Sequence, residues 1–238
     1  MNAAERNYNL AAFFAAAPAV THPGETMAAK IGLSAPEFEA EDLNGATVRL
    51  ADFCDKRHLV MMTGAVTSPM CAFEVPEFNR LYEEFDSKGI SFFLLYTRES
   101  HPAENYSAHQ SFEQKLAYAR ELQRLEDVKF PIIVDHLDGR IHRAYGVWPN
   151  ALFVIHKDGR LIFRSNMANH LELRQFLNDL LAAETATAQG KVTHLQYSER
   201  VVPHEADQTT HHRVYERAGA KAFEDYWAKR PQHRNRWP

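Results

Sequence analysis

Residues His58–Leu81, HLVMMTGAVTSPMCAFEVPEFNRL, restrict the fold more than any other stretch of the chain. The apolar run 58–65 suits a buried strand. Thr67 and Ser68 bring hydroxyls that can cap a helix, and Pro69 suits the first helical position. The segment therefore reads as strand, short loop and helix, with Cys71 in the first helical turn. At such a turn unpaired backbone N–H groups and the helix dipole favour a thiolate over a thiol. A thiol–disulfide enzyme would carry Cys-x-x-Cys there, whereas this chain has Ser68-Pro69-Met70-Cys71. One sulfur remains, and the function turns on whether it reacts.

Alternating signals flank this unit. Phe38–Leu43 and Ala46–Leu50 enclose Asn44-Gly45, a two-residue hairpin turn. A short helix near Ala51–Asp55 precedes the central strand. The helix from Pro69 to about Ser87 places Phe73, Phe78, Leu81, Tyr82 and Phe85 mostly on one face, and Pro76 should kink it. Strands follow at Ile90–Thr97 and Phe130–Asp135, with helices at Ser111–Glu126 and Arg140–Tyr145. Ala151–His156 and Leu161–Arg164 form a second hairpin across Asp158-Gly159, and a helix over His170–Ala183 closes the core. This order predicts an α/β fold, a central mixed sheet flanked by helices.

The pattern divides the chain into an N-terminal helix and linker (1–30), a central α/β domain (31–185) and a C-terminal helical extension (186–238). In the extension Val214, Ala218, Ala222, Phe223 and Tyr226 share one side of a single helix predicted over Arg213–Lys229, a stripe expected to pack on the core or on a second copy in a homodimer. A net charge of −4 argues against nucleic acid as the main partner. No apolar run reaches the roughly 18 residues of a membrane span. Leu10–Val20 has the length of a signal core, but only Arg6, beside Glu5, precedes it. It reads better as a first helix, with a cytoplasmic location expected. Cys54 and Cys71 are the two cysteines, so there is no disulfide framework, and Cys54 reads as a small core residue. His136 and His142 flank Asp138 without metal-ligand spacing, as do His211-His212, so no metal is expected.

The element order resembles the thioredoxin superfamily. Pro76 follows Cys71 by five residues, as a helix-kinking proline does there, and Trp148-Pro149 before the strand ALFVI resembles the superfamily's cis-proline segment. A narrower resemblance, over roughly 45–180, is to the iodothyronine deiodinases and their bacterial relatives. Gly64-Ala65-Val66-Thr67-Ser68-Pro69 is similar to their Gly-x-x-Thr-selenocysteine-Pro loop. Glu99-Ser100-His101-Pro102 and His109-Gln110-Ser111-Phe112-Glu113 match two further family segments. So do Ala144-Tyr145-Gly146 and Pro149-Asn150-Ala151-Leu152. The selenium position is Ser68, a hard nucleophile with no redox cycle of its own, so the resemblance transfers fold and pocket rather than deiodination.

Ser68-Pro69-Met70-Cys71 followed by Glu74 also resembles the peroxiredoxin loop. That resemblance implies Cys71 as the peroxide-attacking thiolate, Ser68 hydrogen-bonding substrate and an external thiol resolving the sulfenic acid. The arginine it implies has no counterpart at the start of strand 151–156. The resemblances place Cys71, Ser68 and Thr67 in the catalytic group, with His101, His109, Trp148 and Pro149 around a small-molecule substrate. A peroxide, a disulfide or a halogenated aromatic would serve, with thioredoxin or glutathione as reductant and no bound cofactor. The other reading is a redox-silent binding module in which Cys71 is a packing residue, since free cysteine is among the most buried residue types.

Overall fold

The structure, a computed structural model, describes residues 1–11, 28–194, 196–197 and 207–229. Most of Leu10–Val20, expected as a first helix, lies outside them. A six-residue helix α1 (Ala3–Tyr8) precedes that segment, closed by a reciprocal Asn2–Glu5 capping box.

Seven strands follow: β1 (Glu39–Asp42), β2 (Thr47–Arg49), β3 (His58–Gly64), β4 (Ile90–Tyr96), β5 (Ile132–Val134), β6 (Leu152–Ile155) and β7 (Leu161–Ser165). They form one mixed sheet in the order β2-β1-β5-β4-β3-β6-β7. β3, β4 and β5 are parallel, while β1, β6 and their hairpin partners run antiparallel. Every residue of β3 is buried, as a strand covered on both faces requires. Val60 and Met62 enter one core with Phe78, Phe85, Leu94 and Phe130. Leu59 and Met61 enter the other with Phe93, Tyr145, Phe153 and Ile155.

The helices are α2 (Pro69–Phe85), α3 (Phe112–Glu126), α4 (Arg140–Tyr145), α5 (His170–Ala188), α6 (Gln208–Ala218) and α7 (Ala220–Lys229). Both predicted hairpins form. The predicted short helix near 51–55 is a 3-10 turn at Leu50–Asp52. α5 runs five residues beyond its expected end, and α2 continues through Pro76 without a break. The helix expected over Arg213–Lys229 is instead two helices, parted at Gly219. There φ is +126°, outside any helical conformation and open only to glycine. Tyr215, Ala218 and Ala222 cluster with Ala103, so the apolar stripe packs on the domain. Among the described residues no helix is long and apolar enough to cross a membrane.

Candidate functional site

The loop between β3 and α2 leaves the sheet at the C-terminal edge of its parallel strands, where α/β folds build their crevices. Ser68 caps α2 as its sequence predicts: its Oγ accepts the Cys71 N–H at 3.3 Å. That leaves its hydroxyl engaged with the backbone, and the residue is only 3 % exposed.

Cys71 is fully buried. Its sulfur sits against Gly64, where an added Cβ would stand 2.5 Å from Sγ, so only glycine lets the thiol lie beside the strand end. The thiolate expected from the helix start is opposed by its surroundings. Burial pushes the Cys71 thiol far up, and the nearby Glu126 carboxylate adds to the rise. A backbone hydrogen bond from Ala65 and the charge of Arg217 act the other way, without overcoming desolvation.

Thr67 does not cap the helix. Its Oγ1 donates to Glu99 Oε2 at 2.6 Å and accepts the N–H groups of Ser100 and His101, each at 3.1 Å. Glu99 is the centre of a buried network that the sequence pattern alone did not reveal. Oε2 also accepts the Thr67 N–H at 3.2 Å, while Oε1 accepts Tyr96 OH at 2.5 Å and His109 Nε2–H at 3.0 Å. Tyr96 OH in turn accepts the Val66 N–H at 3.3 Å. One carboxylate thus ties the reactive loop to β4 and to the segment before α3. His109 lies with its other ring nitrogen 3.3 Å from Asn9 Oδ1, so both nitrogens face acceptors. That arrangement favours imidazolium, but desolvation outweighs it and lowers the pKa of His109.

His101 packs edge-on against Tyr215, with ring centroids 4.8 Å apart, and against Tyr226 at 6.1 Å. Burial pushes its pKa down to about 3, with the charge of His211 acting in the same direction. The two histidines therefore meet the loop differently, His109 through Glu99 and His101 beneath the C-terminal helices.

Trp148, which precedes Pro149, stands apart from this group. The Trp148 ring packs with the core on the sheet face opposite Cys71. Its carbonyl accepts Thr63 Oγ1 at 3.0 Å and His142 Nε2–H at 2.9 Å. The Trp148–Pro149 bond is trans, where the resemblance to thioredoxins led to a cis bond. Asn150 follows, 3 % exposed, and both polar atoms of its side chain lack a hydrogen-bond partner. Glu74 is committed elsewhere: Oε2 accepts the backbone N–H of His170 at 2.9 Å, and its Nδ1 lies at 3.1 Å.

At the opposite end of β3, His58, His156 and Glu184 come together. Their separation along the chain hides this pairing from any sequence pattern. Their contacts suit a Lys157–Glu184 ion pair beside a neutral His58 better than a metal. His58 Nδ1 accepts the Lys157 N–H at 3.2 Å, so its proton sits on Nε2, facing Glu184 Oε1 at 3.2 Å. Lys157 Nζ holds the same carboxylate at 2.7 Å.

A family model described as AhpC/TSA matches residues 31–164, more than half of the chain. The chain belongs to the AhpC/TSA family. Among curated relatives, the type I iodothyronine deiodinase of Xenopus laevis is 29 % identical over 146 residues, covering 58 % of this chain and 57 % of that one. The thiol-disulfide oxidoreductase ResA of Bacillus thuringiensis subsp. konkukian is 31 % identical over 134 residues, 56 % of this chain and 68 % of its own. The human type II deiodinase is 33 % identical over 120 residues, 43 % of either chain. The chain thus spans about half the length of the deiodinases it matches.

Solved structures bear out the thioredoxin-like fold. The thioredoxin domain of a thiol-disulfide oxidoreductase from Bacteroides vulgatus superposes with a TM-score of 0.50 at 15 % identity, covering 64 % of this chain and 98 % of that domain. A Bacteroides thetaiotaomicron structure described as a candidate protein disulfide isomerase gives 0.53 at 17 %, covering 68 % and 97 %. Membership of a family with deiodinase and thiol-disulfide oxidoreductase relatives agrees with the resemblances read from the loop.

Proposed function

We propose that the chain is a single-thiol oxidoreductase acting through Cys71, with a peroxide as the first choice of substrate. The observation that carries the reading is the place of the sulfur. It sits in the first turn of a capped helix, at the C-terminal edge of the parallel strands, in a chain of the AhpC/TSA family. In the proposed cycle the Cys71 thiolate attacks one peroxide oxygen and the O–O bond breaks. The departing alkoxide takes a proton, leaving Cys71 as the sulfenic acid. An external thiol such as glutathione or thioredoxin then condenses with it, releasing water and forming a mixed disulfide. A second external thiol frees Cys71 and leaves as the external disulfide. A disulfide substrate would enter at the mixed-disulfide stage; a halogenated aromatic is third, because the selenium position holds Ser68.

His101, His109, Thr67 and Ser68 shape the loop in this reading, and Trp148, next to Pro149 in the chain, packs on the other side of the sheet. The complete burial of Cys71 favours a second reading, a binding module that keeps the pocket and not the chemistry. Hydroperoxide-dependent oxidation of glutathione or reduced thioredoxin separates the two. The redox reading expects turnover in the parent and in Cys54→Ser, abolished by Cys71→Ser. Equal rates in the parent and Cys71→Ser would leave the binding module.

A further inference from the structure

The carboxylate that most disfavours a Cys71 thiolate after burial itself is Glu126, the last residue of α3. Its side chain is 5 % exposed, yet it does not stand alone. Arg213 grips it with two hydrogen bonds, Nη1 to Oε1 at 2.9 Å and Nη2 to Oε2 at 3.0 Å. Arg217, one turn further along α6, binds Oε1 through Nη2 and donates through Nη1 to the Val66 carbonyl at 3.4 Å. Val66 adjoins Ala65, whose backbone hydrogen-bonds the Cys71 sulfur. One carboxylate thus meets two guanidinium groups, and the cluster carries a net positive charge beside the reactive loop.

The two arginines are not equivalent. Arg213 is 47 % exposed and its charge is screened by water, whereas Arg217 is 13 % exposed. Arg217 is also fixed by its backbone, since Asn105 Nδ2 donates to its carbonyl at 2.9 Å and the Asn105 N–H donates to Ala218 at 3.0 Å. Three other groups lie near the thiol. Glu99 is engaged by Thr67, Tyr96 and His109, Tyr96 keeps its phenol proton through burial, and Ser68 caps the Cys71 N–H. Arg217 is therefore the one cation among the described charged groups that touches the loop holding the sulfur.

We propose that Arg217 is a positioning residue of the thiol site: delivered by the C-terminal extension, it neutralises Glu126 and supplies the positive charge facing Cys71. The inference rests on the redox reading and adds that the extension is part of the active centre rather than a packing appendage.

The test is the pH profile of Cys71 alkylation by iodoacetamide in full-length protein carrying Cys54→Ser. Replacing Arg217 by Gln should move the midpoint upward by about one pH unit, tenfold in thiolate at a given pH. Glu126→Gln should move it downward, the double variant should return close to the parent, and Arg217→Lys should shift it less than Gln. If the parent rate is still rising at pH 10, the signs at that pH decide: Arg217→Gln should react about tenfold more slowly than the parent and Glu126→Gln faster, whereas loss of a mere latch would move both rates the same way and overturn the proposal. A role limited to latching the helices would scale the rate equally at every pH and leave the midpoint fixed; that result overturns the proposal. A reactive parent with an unmoved midpoint discards Arg217 alone, whereas a parent unreactive throughout discards the redox reading as well. Should Arg217→Gln not fold, Arg217→Lys and Glu126→Gln carry the comparison.

Discussion

Removing the Glu99 carboxylate tests whether the buried network holds the reactive loop. Glu99→Ala deletes the acceptor of four hydrogen bonds, from Thr67 Oγ1, the Thr67 N–H, Tyr96 OH and His109 Nε2–H. All of these groups are buried, so each donor loses its partner without gaining water. Leaving a buried donor unsatisfied costs about 1–3 kcal/mol. Thr67 and Tyr96 hydroxyls can rotate to other acceptors, which leaves roughly two full penalties and a cavity, about 3–5 kcal/mol in all.

Glu99→Gln should behave differently. Its carbonyl can face Thr67 while its amide donates toward Tyr96 and His109. Tyr96 OH can accept, and His109 can move its proton to Nδ1, which already faces Asn9 Oδ1 at 3.3 Å. The Gln variant should then lose only about 1 kcal/mol, the net worth of one hydrogen bond. Urea unfolding followed by far-UV circular dichroism reads both values from the midpoint at unchanged slope. If Ala and Gln cost the same, or Ala costs less than 1 kcal/mol, the network does not anchor the loop.

Other outcomes follow from burial and space. Burial pushes His101 and His142 down to about 3, so the unfolded chain binds more protons than the folded one between that pH and about 6.5. Stability should fall as pH drops through this window, by about 2 kcal/mol for each histidine at pH 5 relative to pH 7, and His101→Phe should remove part of the slope. Gly64→Ala places a Cβ 2.5 Å from Cys71 Sγ and should cost about 1–3 kcal/mol, most of it recovered in a Cys71→Ala background. An equal cost in both backgrounds would mean the sulfur is not the obstruction. Gly219→Ala meets a φ of +126° and the Glu104 side chain, so the joint between α6 and α7 should loosen. Hydrogen exchange of the Asn105 amide, bonded to the Ala218 carbonyl, should accelerate, and unchanged protection would refute this.

Local chemistry made much of the fold legible. Asn44-Gly45 and Asp158-Gly159 closed the expected hairpins, Ser111 and Ser68 capped the expected helices, and α4 begins and ends where its residues predicted. The loop was legible too, because strand, cap, proline and cysteine are contiguous. What stayed hidden acts across long sequence separations. Thr67 and Glu99 are 32 positions apart, and Val66 meets Arg217 across 151. A capping motif promises a helix dipole at Cys71, but the desolvation that overrides it depends on everything packed around the thiol. One clue to the cover was available: Arg213 and Arg217 stand four apart, on one helical face. The break at Gly219 was also visible as a glycine within an otherwise helical pattern.

All of the proposed chemistry depends on a Cys71 sulfur that still reacts. Trapping with dimedone during a brief hydrogen peroxide pulse, followed by peptide mass spectrometry of Cys54→Ser protein at pH 7.5, tests it most directly. A dimedone adduct should form at Cys71 in the folded protein and be lost in Cys71→Ser. An unmodified Cys71, with the adduct appearing only after unfolding in urea, would contradict the redox reading.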